Sequence, residues 1–220
     1  MLVARSLIVS CQADPRSPFN APTFIRAFAH AAVLGGAGAL RLEGAANVAA
    51  VRPDTDLPVI GLIKRRGTGE VYITPEAHDV AALAAAGADL IAFDATRRAR
   101  PVPVPALIGE IHARERLALA DVSTVEEAEA ALDAGADLVS TTLSGYTAYS
   151  PAQAGPDLDL IARLAARGVR ALAEGRIRTP AEARAALACG AYAVVVGGAI
   201  TRPEALTAAF AGALRTPPGP

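Results

Sequence analysis

Several apolar runs in this chain end on a side chain that can carry charge. The run LPVIGLI is followed by Lys64, LALA by Asp121 and RALA by Glu174. Amines and carboxylates are common acids and bases in enzymes, because each can take or return a proton once its pKa is adjusted. These residue types predict proton-transfer chemistry if the fold brings them together.

The other apolar runs also end on polar residues or glycines. They end on Gln12, Arg41, Asp94, Thr141 or Thr142, and the pair Gly197 and Gly198. One strand-end charge often only reaches water or forms a surface ion pair worth about 0 to 1 kcal/mol. A set that combines an amine, carboxylates and the guanidinium of Arg41 favours a shared site instead. Asp94 can equally pair with Arg97 or Arg98 in AFDATRR.

Glycines follow the last two apolar runs and predict a phosphate site. Gly175 lies in AEGRI, and Gly197 and Gly198 precede a helix start in VVGGAITRPEAL. Glycine lacks the Cβ that would keep an anion away from backbone amides, and a helix start attracts negative charge. The alternative is a tight turn that needs left-handed backbone angles.

A recurring sequence pattern indicates which elements position these residues. GGAGALRLEG, AAGADLIAFDAT, DAGADLVSTTLSG and ACGAYAVVVGGAI each join an alanine-rich helix to an apolar run. Their glycines, Gly38, Gly87, Gly135 and Gly190, lie 49, 48 and 55 residues apart, which fits two strand-helix units per period. We expect each glycine to end its helix in a left-handed cap.

Eight apolar runs alternate with helices, which predicts parallel strands covered by helices. The helices are expected near residues 23–34, 47–51, 75–86, 105–114, 124–134, 158–167, 180–189 and 203–214. At about 27 residues per unit, the chain suits a closed (β/α)8 barrel of the phosphate-binding type. An open doubly wound sheet is the alternative, but SCQADPR is no glycine fingerprint. In a barrel, all strand ends named above meet at one mouth.

Side-chain alternation predicts which residues face the barrel axis. If Lys64 faces the axis, so do Leu62 and Ile60, whereas Ile63, Gly61 and Val59 face the helices. The same count places Glu174 with Leu172, and Asp121 with Leu119. The layers below the mouth are therefore expected to be apolar.

Composition limits the class of protein and its partners. The chain has 220 residues, is 52% hydrophobic and has a net charge of −1, which suits one globular domain over residues 1–214 and a disordered tail over 215–220. The near-neutral charge and few aromatic residues argue against nucleic-acid binding. No apolar run reaches the roughly 20 residues of a membrane span. We expect a cytoplasmic protein with a small-molecule partner.

Cysteine and histidine indicate neither a disulfide framework nor a metal site. Cys11 and Cys189 lie at opposite ends of the chain within apolar stretches, which suits buried thiols. The histidines, His30, His78 and His112, all fall within predicted helices without metal-ligand spacing.

The chain resembles the N-acetylmannosamine-6-phosphate 2-epimerases. The resemblance is collinear from about Leu7 to Arg202 and rests on LIVSCQA, LPVIGLIKR, VYITP, AFDAT, LADVSTVEE, TTLSGYT, AEGRI and AVVVGGAITRP. It implies a phosphate-binding barrel that interconverts N-acetylmannosamine 6-phosphate and N-acetylglucosamine 6-phosphate in sialic acid catabolism. It also implies a metal-independent enzyme without a cofactor that forms a homodimer.

The resemblance assigns roles to the candidate residues. Epimerisation at carbon 2 needs ring opening, removal of the proton next to the aldehyde and its return to the other face. We expect Lys64 to exchange that proton, Glu174 to move the ring-opening proton and Asp121 to position one of them. The substrate is expected to contact Gln12, Arg41, Arg202, Asp94, Thr141 and Tyr146, and its phosphate Gly175, Gly197 and Gly198. Whether an arginine binds the phosphate or an oxygen of the acetamido or carbonyl group stays open.

Two other functions fit the same residues. A barrel lysine can form a Schiff base, which would make the chain a lyase or synthase acting on a phosphorylated substrate. The barrel could also bind a sugar phosphate without catalysis, because a fold does not dictate function.

Overall fold

The computed structural model describes residues 1–66 and 71–215. Its strands are β1 (Leu7–Cys11), β2 (Ala39–Glu43), β3 (Val59–Leu62), β4 (Lys64–Arg66), β5 (Val71–Ile73), β6 (Leu90–Asp94), β7 (Leu117–Asp121), β8 (Leu138–Ser140), β9 (Ala171–Glu174) and β10 (Ala193–Val196). Its helices are α1 (Pro22–Leu34), α2 (Ala45–Val51), α3 (Ala77–Ala85), α4 (Val104–His112), α5 (Val125–Asp133), α6 (Leu158–Ala165), α7 (Pro180–Ala188), α8 (Gly198–Thr201) and α9 (Pro203–Arg215), with a 3-10 turn at Arg52–Asp54.

Eight of these strands close into a parallel barrel in the order β1-β10-β9-β8-β7-β6-β3-β2. Strand β1 completes the ring, because it pairs with β10 on one side and with β2 on the other. This confirms the predicted (β/α)8 barrel over the open sheet. The carboxyl ends of all eight strands consequently lie at one mouth.

The two faces of the barrel strands bury different clusters. The interior cluster includes Ile60, Leu62, Leu119 and Leu172, as side-chain alternation predicted. Gly61 faces the helices, since a Cβ there would lie 3.0 Å from Cδ2 of Leu83 in α3. The polar residues at the mouth therefore stand on apolar layers that fix their backbone positions.

Local signals set the helix ends. Thr179 and Glu182 form a reciprocal capping box at the start of α7. The predicted left-handed caps occur at Gly87, Gly135 and Gly190, which have φ of 95°, 103° and 96°. The cap predicted at Gly38 is wrong. There the left-handed glycine after α1 is Gly36, with φ of 89°, whereas Gly38 lies so close to Ser6 that a Cβ would come within 2.7 Å of the Ser6 Cβ.

Three elements, β4, β5 and α8, lay outside the sequence prediction. Strands β4 and β5 form an antiparallel pair beyond the end of β3, and α8 precedes α9. Of the predicted tail, Arg215 is the last residue of α9 and residues 216–220 lie outside the described part of the chain. Within residues 1–66 and 71–215, no helix combines the length and apolar character needed to cross a bilayer.

Candidate active site

A cavity of about 710 Å³ opens at the carboxyl mouth of the barrel. It brings together most of the residues predicted from the strand ends. The predicted residues that line it are Gln12, Arg41, Lys64, Tyr146, Glu174, Gly175, Gly197, Gly198 and Arg202. Lys64 and Glu174, which are 110 residues apart in the chain, therefore face one shared space.

Lys64 lies at the first position of β4 and is the sole lysine of the chain. Its Nζ donates a hydrogen bond to Oε1 of Gln12, and Nε2 of Gln12 donates to Oγ of Ser10 over 2.8 Å. Ser10 also lines the cavity and is 5% exposed. This chain of contacts orients the Gln12 amide so that its oxygen faces the amine.

Removal from water lowers the pKa of the Lys64 ammonium group below its usual range. The guanidinium groups of Arg41 and Arg202 lower this pKa further, and the carboxylates of Glu43 and Glu174 oppose the shift. A lowered pKa increases the fraction of free amine at neutral pH. The site thus supplies the form of lysine that can accept a proton.

The residues on both sides of Lys64 are anchored. The backbone N–H of Ile63 donates to Oγ1 of Thr74 over 3.1 Å, and the Thr74 N–H donates to the Ile63 carbonyl over 2.7 Å. Arg65 makes an ion pair with Asp79 of α3, whose carboxylate is fully buried; Nε of Arg65 lies 3.1 Å from Oδ1 of Asp79. These contacts fix the backbone from which the Lys64 side chain enters the cavity.

Arg41 links the two carboxylates of the site. Its Nη2 donates to Oδ2 of Asp121 over 2.7 Å, and its Nε lies 3.3 Å from Oε2 of Glu174. The hydroxyl of Thr142 lies between the same carboxylates, 2.7 Å from Oδ1 of Asp121 and 3.1 Å from Oε2 of Glu174. Asp121 has no exposed surface, so it acts on the cavity only through Arg41 and Thr142.

Burial raises the pKa of Asp121 to about 6, and the neighbouring charge of Glu174 adds to the shift. The guanidinium of Arg41 and the hydroxyl of Thr142 oppose it. Two carboxyl groups around one guanidinium can thus hold a proton near neutral pH. In the described chain, Nε and Nη1 of Arg41 are buried without a hydrogen-bond partner, which leaves a donor for a bound ligand.

The cavity is rich in positive charge. Among the residues that the structure describes, its lining holds one carboxylate, that of Glu174, and five cationic side chains, those of Arg41, Lys64, Arg176, Arg178 and Arg202. Arg176 is held by the carbonyl oxygens of Gly155 and Ser144, each 2.7 Å away, and lies over the ring of Tyr146. Such a lining favours an anionic ligand.

Three glycines expose backbone at one side of the cavity. Gly175 follows β9 with φ of 117°, a conformation that side chains rarely adopt. Gly197 is the N-cap of α8 and Gly198 its first residue. Their amides and the side chain of Arg202 are suited to an anion such as a phosphate.

Two predicted contact residues lie away from the cavity. Oγ1 of Thr141 donates to the Glu174 carbonyl over 3.0 Å, and its neighbour Thr142 lines the cavity instead. The physical reason is alternation, because Thr142, two residues beyond the end of β8, continues the inward face on which Leu138 and Ser140 lie. Counting residues from the inward-facing Leu138 would have selected Thr142.

Asp94 is also absent from the cavity lining. Its buried carboxylate accepts from the backbone N–H of Thr96 over 2.9 Å and is paired with Arg98 and Arg100. Asp94 was expected either to contact the substrate or to pair with Arg97 or Arg98, and the structure shows the ion pair with Arg98. A direct substrate contact by Asp94 is therefore not supported.

Sequence reasoning also passed over Ser10, Arg176 and Arg178 as lining residues. The alternating arginines in EGRIR were a usable signal for the last two, because they follow a strand end directly. Among the residues that the structure describes, no three His, Cys, Asp or Glu side chains are grouped so that they could hold a metal ion.

Comparison with known proteins connects this chain to one family. Residues 25–216 match the family model NanE, described as "Putative N-acetylmannosamine-6-phosphate epimerase". The chain is 54% identical over 211 residues to the "Bifunctional enzyme NanE/NanK" of Brucella melitensis, which covers 96% of this chain and 41% of that protein. It therefore spans about two fifths of the length of this curated relative.

Two other comparisons cover most of both chains. A "Putative N-acetylmannosamine-6-phosphate 2-epimerase" of Klebsiella pneumoniae is 52% identical over 199 residues, which are 90% of this chain and 85% of that protein. The solved structure of the N-acetylmannosamine-6-phosphate 2-epimerase from Clostridium perfringens is 43% identical, with a TM-score of 0.92. That alignment covers 96% of this chain and 94% of the solved one.

Proposed function

Because this chain belongs to the N-acetylmannosamine-6-phosphate epimerase family, as its sequence resemblance predicted, we propose that it interconverts N-acetylmannosamine 6-phosphate and N-acetylglucosamine 6-phosphate. Its place would be in the catabolism of sialic acid and N-acetylmannosamine. The observation that carries the proposal is the shared cavity of Lys64 and Glu174, which puts an amine and a carboxylate against one ligand of matching charge.

The reaction divides into three stages, which are ring opening, removal of the proton at carbon 2 and return of a proton to that carbon. The hydroxyl at carbon 1 loses a proton, the bond from carbon 1 to the ring oxygen breaks, and the ring oxygen gains a proton. The open-chain aldehyde then loses the proton at carbon 2 to give a planar enolate. Return of a proton to the opposite face of carbon 2 gives the epimer.

Lys64 exchanges the proton at carbon 2. At the ordinary pKa of about 10.4, only about one lysine in 2500 is neutral at pH 7, a cost of about 4 to 5 kcal/mol. Burial and the nearby guanidinium groups, which lower the pKa of Lys64, reduce that cost. Its bond to Gln12 aims the amine into the cavity.

Glu174 moves the ring-opening proton. Arg41 and Arg202 each stabilise a different negative charge of the substrate. Arg41, with two buried guanidinium nitrogens lacking hydrogen bonds in the described chain, stabilises negative charge on the enolate oxygen. Arg202 and the amides of Gly175, Gly197 and Gly198 bind the phosphate, with Gln12 and Tyr146 contacting the sugar. None of these steps calls for a cofactor.

We also propose that residues 1–214 act as one cytoplasmic catalytic domain that forms a homodimer. Helix α9 supports a dimer, because none of its residues is buried. Phe210 and Leu214, four residues apart on this helix, lie on one side of it, and both are largely exposed. An apolar face of this kind is a liability in water unless another surface covers it.

The test follows carbon 2 by proton NMR in heavy water. With N-acetylmannosamine 6-phosphate and no added cofactor, the wild-type protein should produce N-acetylglucosamine 6-phosphate deuterated at carbon 2. Lys64→Ala should lose both epimerisation and exchange, by at least about 100-fold, the scale of one general base.

Arg5→Ala, at an exposed position in the segment before β1, is the matched control and should behave as wild type. Normal exchange by the Lys64→Ala variant would remove Lys64 from the mechanism. Absence of the gluco epimer with the wild-type protein would remove the proposed activity itself.

A further inference from the structure

The hydroxyl of Thr142 sits between two carboxyl groups but has one hydrogen to donate. It lies 2.7 Å from Oδ1 of Asp121 and 3.1 Å from Oε2 of Glu174. When both groups are ionised, the hydroxyl donates to one of them, and the shorter distance selects Asp121. The oxygen of Thr142 then faces Glu174 with a lone pair that can accept a proton.

We propose that Thr142 relays a proton between Glu174 and Asp121, so that Asp121 stores the proton that Glu174 takes from the substrate. This inference rests on the proposed epimerase function. It gives a role to the buried carboxyl group of Asp121, which does not line the cavity. It also gives a role to Thr142, whereas the predicted substrate contact was its neighbour Thr141.

The relay step is balanced. The O–H bond of protonated Glu174 breaks as an O–H bond forms on Oγ1 of Thr142. The original hydroxyl bond of Thr142 breaks as an O–H bond forms on Oδ1 of Asp121. Glu174 is again a carboxylate and Asp121 is neutral. The reverse movement returns the proton to Glu174, which then passes it to the ring oxygen.

The surrounding groups suit this exchange. Arg41 contacts both carboxyl groups, through Nη2 at Asp121 and Nε at Glu174, so a counter-charge is present wherever the proton resides. Ser140 lies 2.9 Å from the Thr142 hydroxyl and 3.4 Å from Glu174 and can fill the remaining lone pair. The pKa of Asp121, raised to about 6 by burial, is that of a group able to hold a proton near neutrality.

Charges on the adjoining strand do not compete for the proton. Asp94 of β6 lies opposite Asp121 in the strand register, but its carboxylate is bound by Arg98, Arg100 and Thr96. On the cavity side the nearest amine is Lys64, which bonds to Gln12.

Two substitutions of Thr142 test the relay. Thr142→Val keeps the shape and removes the hydroxyl, whereas Thr142→Ser keeps the hydroxyl. With N-acetylmannosamine 6-phosphate, Thr142→Val should lower kcat about 10- to 100-fold with KM changed less than about threefold, and Thr142→Ser should retain kcat within about threefold. Circular dichroism verifies that both variants are folded.

A second readout does not depend on turnover. In protein carrying 13C at aspartate carboxyl carbons, the Asp121 signal, assigned with Asp121→Asn, should titrate at higher pH in Thr142→Val than in wild type, because the variant lacks the donor that favours the ionised form. The Thr142→Ser signal should match wild type.

Each other result overturns the relay. Unchanged kcat in Thr142→Val shows that no proton passes through the hydroxyl, and equal loss in both variants shows that packing alone matters. If the wild-type protein does not epimerise the substrate, the proposed function fails, and an unchanged Asp121 titration in Thr142→Val would then separately reject the contact on which the relay depends.

Discussion

At the scale of single residues, the site is governed by a few groups with little access to water. Asp121 is fully buried and Lys64 is half-buried, and their removal from water favours the neutral form of each by raising the pKa of Asp121 and lowering that of Lys64. Arg41 stays charged between two carboxyl groups and prevents their repulsion from opening the site. The same low-dielectric surroundings that make these charges costly also make them effective in catalysis.

The sole lysine of the chain makes one prediction directly measurable. In protein labelled with 13C at lysine Cε, a single side-chain resonance should titrate below the ordinary lysine pKa, because the folded site desolvates the ammonium group. Glu43→Gln should lower that pKa further, since the Glu43 carboxylate raises it. The same protein in concentrated urea provides the ordinary value. A folded-state pKa at or above that value would contradict the proposed base.

At the scale of elements, the β4–β5 pair holds the lysine in place. Lys64 lies beyond the end of β3, where the barrel ladder no longer fixes the backbone. Three other contacts fix the backbone here. They are the pairing of Lys64 with Ile73, the hydrogen bonds between Thr74 and Ile63, and the ion pair of Arg65 with the buried Asp79. An active-site residue outside the barrel ladder thereby gains the rigidity that proton transfer to a defined carbon requires.

Asp79→Asn tests this anchor. Loss of the charge should lower kcat by about 10-fold and the free energy of unfolding by about 1 to 3 kcal/mol, the cost of a weakened buried hydrogen bond. NMR turnover assays and urea denaturation measure the two effects. Asp54→Asn, which breaks the exposed pair with Arg26, is the control and should cost at most about 1 kcal/mol without altering kcat. Equal kcat in Asp79→Asn and wild type would show that the anchor serves stability alone.

At the scale of the whole molecule, the barrel collects groups that are distant in sequence and leaves one helix uncovered. The closed strand order brings β3, β7 and β9 to the same mouth as β2. Helix α9 contributes Ala205, Leu206 and Ala209 to the cavity wall, yet its outer face remains exposed. A second copy of the chain that covers this face would also stabilise the wall of the site.

Phe210→Asp tests the proposed dimer. Phe210 is 72% exposed, so a charge there should not disturb the isolated fold, but it should disrupt an apolar contact between two copies. Light scattering coupled to size exclusion should show a dimer for wild type and a monomer for the variant. Ala208→Asp, at an exposed position about 160° around the same helix from Phe210, is the matched control and should remain dimeric. A monomeric wild-type protein would reject the dimer.

Features that depend on nearby residues could be predicted from the amino-acid sequence. Alternation within strands, glycine caps and the capping box at α7 act over a few residues, so the eight strand-helix units, the inward-facing apolar layers and the candidates Lys64, Glu174 and Arg41 were predicted from the chain. Features that depend on neighbouring strands and on the path of loops were established by the folded chain. The loop after β6 folded Arg98 and Arg100 over Asp94, and Asp121 came to lie behind Arg41. The path of that loop and the contact between Arg41 and Asp121, which are 80 residues apart, depend on the folded chain and not on a local pattern.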